Sequence, residues 1–332
     1  MQDSLKQIAL NKASAIQADR ASQDPLGGLL HLLKMNSVFY THADLSTPWG
    51  FDIPAIPKSL MFHLVVEGAC IIEVEGHKIA LEAGDFMMLP HGKGHKMFDH
   101  PGVSCPPLFD LPIQPVSEFY ETLSHGGGGE SSLLLCGAVS FNHPIAERLL
   151  DVMPSFIKID SQYKEMNQAI HHIINMIAEE TLSASLGGEA VITRLADILV
   201  INALRVWLGS HKVIDQNWLA AMSDNALSKA MLAIHQQPEK AWTVELLAAE
   251  ACMSRTSFSE RFKKVVGETP LNYLTQWRMA IAKSKLFFTK ENILSIALSL
   301  GYQSEAAFSR AYKKATGLAP SQARKAYLAS SN

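Results

Sequence analysis

Arg310, Lys313 and Lys314 crowd one short stretch near the end of this 332-residue chain, and Lys263 and Lys264 form a lysine pair fifty residues earlier. A guanidinium fork can grip the O6 and N7 edge of a guanine, and ammonium groups beside it can hold phosphate. At the same offset of 50, Ser254, Phe258, Ser259, Gly267 and Pro270 recur as Ser304, Phe308, Ser309, Gly317 and Pro320, with Phe262 matched by Tyr312. One supersecondary unit is therefore written twice.

The elements that position these cations follow from the same residues. Ser254 is a natural N-cap for a helix over 255–266, its hydroxyl accepting from free backbone N–H groups of the first turn. At ~100° per residue, Phe258, Phe262 and Val265 gather on one face and Thr256, Ser259, Glu260 and Lys263 on the other. The apolar face must pack on a preceding helix over 244–251, which makes a helix-turn-helix, and the polar face is left to enter a major groove. The second copy places Phe308 and Tyr312 inside, with Ala306, Ser309, Arg310 and Lys313 outside. Lys263, Lys264, Lys313 and Lys314 are expected on phosphate, and Arg310 on a base. Glu260 can only accept, from a cytosine amino group for instance, and repels phosphate. A helix over 271–288, with Leu274, Trp277, Ile281 and Leu286 on its apolar side, joins the copies. At ~1.5 Å per residue it sets them about 27 Å or more apart, which suits successive major-groove faces one turn of DNA apart.

Charge separates this region from the rest. Residues 223–332 hold 15 Lys and Arg against 8 Asp and Glu, a balance of +7 inside a chain of net charge −3. A basic module is the footprint of something that meets phosphate.

A second set of chemically capable residues lies earlier. Strand-like runs over 61–66, 70–74 and 78–81 end in Glu67-Gly68, Glu75-Gly76 and Ala83-Gly84, a spacing that suggests a small barrel or sandwich. After them, Gly84, Pro90, Gly92 and His95 fit G-x5-P-x-G-x2-H, which resembles the second motif of cupins. His63 stands where the first motif should be, without the second histidine of its usual H-x-H, and Asp99 replaces the usual Asn. Two imidazoles fall short of the three or four donors a first-row metal needs, so no metal and no cofactor are expected. His63, His95 and the neighbouring Val65 are read instead as barrel-lining residues or ligand contacts. The Gly126–Gly129 tract lacks the Lys-Ser/Thr of a phosphate cradle and reads as a mobile loop. Cys70, Cys105, Cys136 and Cys252 are far apart with no CxxC pair, as expected of reduced thiols.

Between the barrel and the basic module the period changes. Ile170, Ile173, Ile174 and Ile177 share one helical face, and after Gly187-Gly188 so do Ile192, Leu195, Ile198 and Leu199. These stripes suit packing on the sheet, and part of the second also suits a dimer seam. No run of about 18 uncharged residues is present, and charges punctuate the first twenty positions, so neither membrane insertion nor secretion is indicated. A cytoplasmic location is expected. The 48% apolar composition supports more than one core. The expected fold is α+β in two domains: an extension over 1–24, a cupin-like effector domain over 25–155, a helical linker or dimerisation region over 156–222, and an all-α module of two helix-turn-helix units over 223–332.

The C-terminal 110 residues, each unit closing in Gly-x-x-Pro, resemble the DNA-binding domain of AraC/XylS transcription regulators. The barrel resembles the sensing domain of one branch of that family. The resemblance implies base contacts at Thr256, Ser259 and Glu260, then at Glu305, Ala306, Ser309 and Arg310. It also implies a sequence-specific regulator, an activator by family habit, with double-stranded DNA, a small-molecule effector, RNA polymerase and a second copy of the chain as partners. The competing reading is a cupin-type metalloenzyme with an accessory helical domain. It needs a complete metal triad or an acid/base pair in the barrel. The regulator reading assigns no catalytic residue.

Overall fold

A computed structural model describes residues 30, 35–141, 144–161, 168–183, 186–209 and 218–330. It contains two compact units, one within 34–141 and 146–209, the other holding 218–330. The expected extension 1–24 lies outside the described residues.

The first unit is built of two facing sheets. Strands β1 (Met35–Ser46), β3 (Ser59–Glu67), β6 (Phe86–Leu89), β8 (Gln114–Pro115), β9 (Tyr120–Gly126), β10 (Ser131–Phe141) and β11 (Ile157–Ile159) form a seven-stranded sheet in the order β11-β6-β3-β10-β1-β9-β8. Strands β2 (Gly50–Ile53), β4 (Ala69–Val74), β5 (His77–Glu82) and β7 (His95–Phe98) form the second, in the order β2-β7-β4-β5. β3 is buried at eight consecutive positions, the mark of a strand covered on both faces. Met61 and Val65 join Phe51, Ile72, Met97 and Cys136 in the core, while Phe62, on the opposite face, packs on Tyr40 and Phe86.

Turn residues make this closure possible. Glu75 and Gly76 both have positive φ, 50° and 79°, as a two-residue type I′ hairpin between β4 and β5 requires. At Gly92, φ is 57° and an added Cβ would lie 2.0 Å from the Ile56 carbonyl oxygen, so the expected Pro90-x-Gly92 turn admits no side chain there. Asp85, 1% exposed, accepts from the amides of Glu82 and Ser161 and pairs with Lys158 at 2.9 Å.

Two expectations are corrected here. The glycine tract 126–129 is a tied turn rather than a mobile loop, because Gly127 and Gly129 donate to the carbonyls of Ser46 and Thr47 and Gly128 donates to the Ser46 hydroxyl. The region 156–222 is not all helical linker. Its start is β11, where the alternation of Ile157, Lys158 and Ile159 lets the segment pair with β6.

Helices α1 (Pro144–Asp151), α2 (Gln168–Ser183) and α3 (Gly188–Gly209) complete the unit. Buried Ile170, Ile174 and Ile177 face inward on α2, and Ile192, Leu195 and Leu199 do so on α3. Ile198, expected on the same stripe, is 45% exposed.

The second unit is all helical: α4 (Trp218–Ser223), α5 (Leu227–Gln236), α6 (Val244–Glu250), α7 (Arg255–Val266), α8 (Pro270–Phe288), α9 (Ile293–Ser299), α10 (Glu305–Thr316) and α11 (Pro320–Ser330). The residues 218–222, expected in the linker, form α4 in this unit. Helix α8 begins with Pro270 at its first turn behind the Thr269 cap, where proline has no N–H to lose.

Candidate functional site

Each helix-turn-helix is fixed by short polar caps and a few aromatic rings. The Ser254 hydroxyl accepts from Ser257 N at 3.3 Å and the Ser304 hydroxyl from Ala307 N at 3.2 Å, so both second helices start where the sequence indicates. Both end at a left-handed glycine, Gly267 and Gly317, whose amide caps the Lys263 or Lys313 carbonyl. Phe258 and Phe262 are fully buried and in contact, as are Phe308 and Tyr312. Val265, expected inside, is only half-buried. The copies are not identical in length: α9 follows α6 at an offset of 49, but α10 follows α7 at 50, so the second turn carries one more residue. The left-handed residue is Cys252 in the first turn and Gly301 in the second.

The outward faces carry the residues selected from sequence. Thr256, Glu260, Lys263 and Lys264 are exposed on α7, and Glu305, Ala306, Arg310, Lys313 and Lys314 on α10, with Ser259 and Ser309 half-buried at equivalent places. The basic side chains fall into two groups. Arg255 is paired with Glu245 at 2.8 Å, and Arg261 turns aside to Asp224, with Nε at 3.1 Å. Arg310, Lys263, Lys264, Lys313 and Lys314 make no ion pair among the described residues, which leaves them available to an external anion. The lysine pairs also sit in the last turns of their helices, where the dipole favours cations.

In the first unit the structure brings His63 and His95 together. The two Nε2 atoms are 2.7 Å apart, with the rings 2% and 3% exposed. His95 Nδ1 lies 3.0 Å from the Lys93 carbonyl, which can only accept, so Nδ1 carries the proton and Nε2 is the acceptor. His63 Nε2 must then donate, and His63 Nδ1 is left as a buried lone pair with no partner among the described residues. Burial, and secondarily the facing His95, hold His63 well below the usual imidazole pKa. Burial likewise lowers His95, against the opposing effect of its Lys93 bond. Both rings are neutral near pH 7.

His63 lines a cup with Phe39, Thr41, Phe51, Met61 and Cys136. The cup's free volume is about 20 Å³, room for about one water-sized particle. Val65, on the same face of β3, is not among the residues that line it. His95 reaches the cup only through His63. The Cys136 thiol is pushed far up by burial and stays protonated, so it is neither nucleophile nor ready ligand. No group of three or more His, Cys, Asp or Glu able to hold a metal occurs among the described residues. Phe39, Thr41 and Cys136 escaped the sequence reading because β1 and β10 lie far from His63 along the chain. The alternation of Phe39, Thr41 and Ala43 was the available signal.

Known proteins share both parts. A family model described as Cupin matches residues 24–209, and one described as Helix-turn-helix domain matches residues 247–326. An AraC-like transcription regulator of Streptomyces lividans is 30% identical over 306 residues, covering 91% of this chain and 98% of its own. An uncharacterised HTH-type transcriptional regulator of Haemophilus influenzae is 31% identical over 304 residues, with the same coverage of 91% and 98%. The HTH-type transcriptional regulator AlkR of Acinetobacter baylyi is 29% identical over 303 residues, covering 88% and 95%. A cupin domain followed by paired helix-turn-helix units defines a DNA-binding transcription regulator. The chain belongs to the AraC-like family of these regulators.

Proposed function

We propose that the chain is a non-enzymatic, sequence-specific regulator, an activator that reads two successive major-groove faces and answers to a small molecule in the cup. The observation that carries the reading is the set of five cations on the outward faces of α7 and α10 that make no ion pair among the described residues. In this assignment Thr256, Ser259, Glu260, Glu305, Ala306, Ser309 and Arg310 meet bases, and Lys263, Lys264, Lys313 and Lys314 meet phosphate. The module 223–332, with α4 packed onto it, is the DNA-binding part, and 25–155 is the effector domain.

The effector is an apolar or weakly polar molecule that places a hydrogen-bond donor on His63 Nδ1. Because the cup is nearly full, a ligand larger than water enters only if the strands move. β1 carries Phe39 and Thr41 on the cup side, and on its other side the Tyr40 hydroxyl donates to Asp197 of α3 at 2.5 Å. Filling the cup therefore loads α3 through one strand. The exposed Val191, Ile198, Ile201 and Val206 of α3 suit a second copy of the chain, and RNA polymerase is the partner that activation requires.

The test is selection by the full chain from a pool of random duplexes, followed by thermal shift against a metabolite panel. We expect one enriched duplex class, and a ligand that raises stability by about 2.7 kcal/mol at a hundredfold over its Kd. A pool without enrichment contradicts the DNA assignment. An enriched pool together with a panel that shifts nothing, and a DNA affinity indifferent to cell extract, contradicts the sensor alone.

A further inference from the structure

Arg278 lies midway along α8, the helix that joins the two reading units, and its side chain leaves that helix sideways. Its Nε donates to the Pro238 carbonyl at 2.6 Å and its Nη2 to the Lys240 carbonyl at 2.8 Å. Both acceptors belong to the loop between α5 and α6, on the entry side of the first unit. This loop is itself stiff: Trp242 N donates to Lys240 O at 2.7 Å, Trp242 Nε1 donates to Gln237 O at 2.9 Å, and the Lys240 ammonium sits 3.8 Å from the Trp242 ring centre.

The same guanidinium faces the second unit. Its carbon lies 5.7 Å from the centre of the Tyr302 ring, and Tyr302 packs edge-on against Phe308, the buried aromatic of α10, with centroids 5.5 Å apart. Gly301 brings the two units closer still. With φ of 79°, it sits where an added Cβ would lie 2.2 Å from the Glu239 carbonyl oxygen and 2.9 Å from Arg278 Nη2. Gly301, the left-handed residue of the second turn, thus lies against the loop of the first unit, with no side chain between them.

We infer that Arg278 is a positioning residue that locks the second recognition helix to the first, and so sets the spacing between base-pair blocks that the protein accepts. The inference rests on the DNA reading proposed above. A guanidinium suits the place because Nε and Nη2 donate to two carbonyls while a face remains for the tyrosine ring, a fixed geometry that a flexible ammonium does not supply. Without the lock, the two recognition helices are related through α8 and its packing alone. The inserted bases in an altered site rotate one block about the duplex by roughly a tenth of a turn each. Only a rigid reader is strongly sensitive to that.

The experiment uses the full chain and a duplex it enriches from a random pool, with single base pairs inserted or deleted between the two contacted blocks. For the native chain we expect affinity to fall at least tenfold per inserted base pair. For Arg278→Ala we expect less than threefold variation across the same spacers. Arg278→Lys should behave like Arg278→Ala, and Gly301→Ala should lose the native spacing preference from the opposite side of the contact. The ratio between spacers does not depend on how much of a variant is folded, so a merely destabilised protein keeps the native profile. If Arg278→Ala cannot be purified, Arg278→Lys is scored in its place. A native spacing profile in the scored Arg278 variant overturns the inference while leaving the DNA reading intact. A pool that yields no enriched duplex overturns both.

Discussion

Arg310 and Lys314 stand one turn apart on α10, both exposed and both without an ion pair among the described residues, yet their losses should differ in kind. Arg310→Ala is expected to cost about 1–3 kcal/mol on the preferred duplex and to relax preference at one base pair, because a bidentate guanine contact goes with it. Lys314→Ala should weaken preferred and random duplexes alike, since a phosphate carries no sequence. Titrations of both variants on both duplexes decide it. Equal losses for the two variants would mean that Arg310 is only an anchor. The buried histidines give a residue-scale prediction of another sort. In the unfolded chain His63 and His95 take up protons near the ordinary value of 6.5, while in the fold both values are lowered. Below about 6.5 the unfolded state therefore binds more protons, and stability falls as pH falls until the folded values are reached; well above 6.5 the pair adds no pH dependence. Thermal unfolding between pH 7.5 and 5.5 should show this acid loss, and His63→Leu should reduce it. An unchanged slope in the variant would place the acid sensitivity elsewhere. With two imidazole nitrogens as the only well-placed donors among the described residues, purified protein should also hold well under one equivalent of transition metal, and chelator should leave DNA binding unchanged.

The elements of the second unit were legible because their signals are local. A serine cap, two aromatic rings four residues apart and a terminal glycine fix α7 and α10 within a dozen residues each, and the structure reproduces 255–266 to the residue. The caps carry a prediction in turn: Ser254→Ala and Ser304→Ala should each lower stability by about 1 kcal/mol, measured by denaturant unfolding, whereas Phe308→Ala should cost about 3–5 kcal/mol through the cavity it leaves. A cap variant as damaging as Phe308→Ala would show that these serines do more than start a helix. What escaped the sequence is long-range. Arg278 meets carbonyls 40 and 38 residues away, Tyr40 meets Asp197 across 157 residues, and no local spacing marks either pair. β11 was missed because three residues are too few for a period, and its pairing is decided by β6. The glycine tract misled for a related reason: glycine composition signals freedom, but a backbone pressed against Ser46 has no use for a side chain and is held in place all the same.

For the molecule as a whole, charge and partition matter more than any contact. The 223–332 region carries its +7 within a chain of net −3, so attraction to DNA must come from one module against the repulsion of the remainder. The cup is small and the lysines are surface cations, so the two halves use different physics: one depends on packing and the other on screened charge. The most direct test of the account is a salt titration of the full chain on an enriched duplex and on a scrambled duplex of the same length. If several lysines and arginines each displace counterions, log affinity should fall with log salt at a slope of about −4 to −8 on the enriched duplex, which should stay at least about a thousandfold preferred at moderate salt. A slope near zero, or equal binding of the two duplexes, would contradict a sequence-reading regulator built on these two helices.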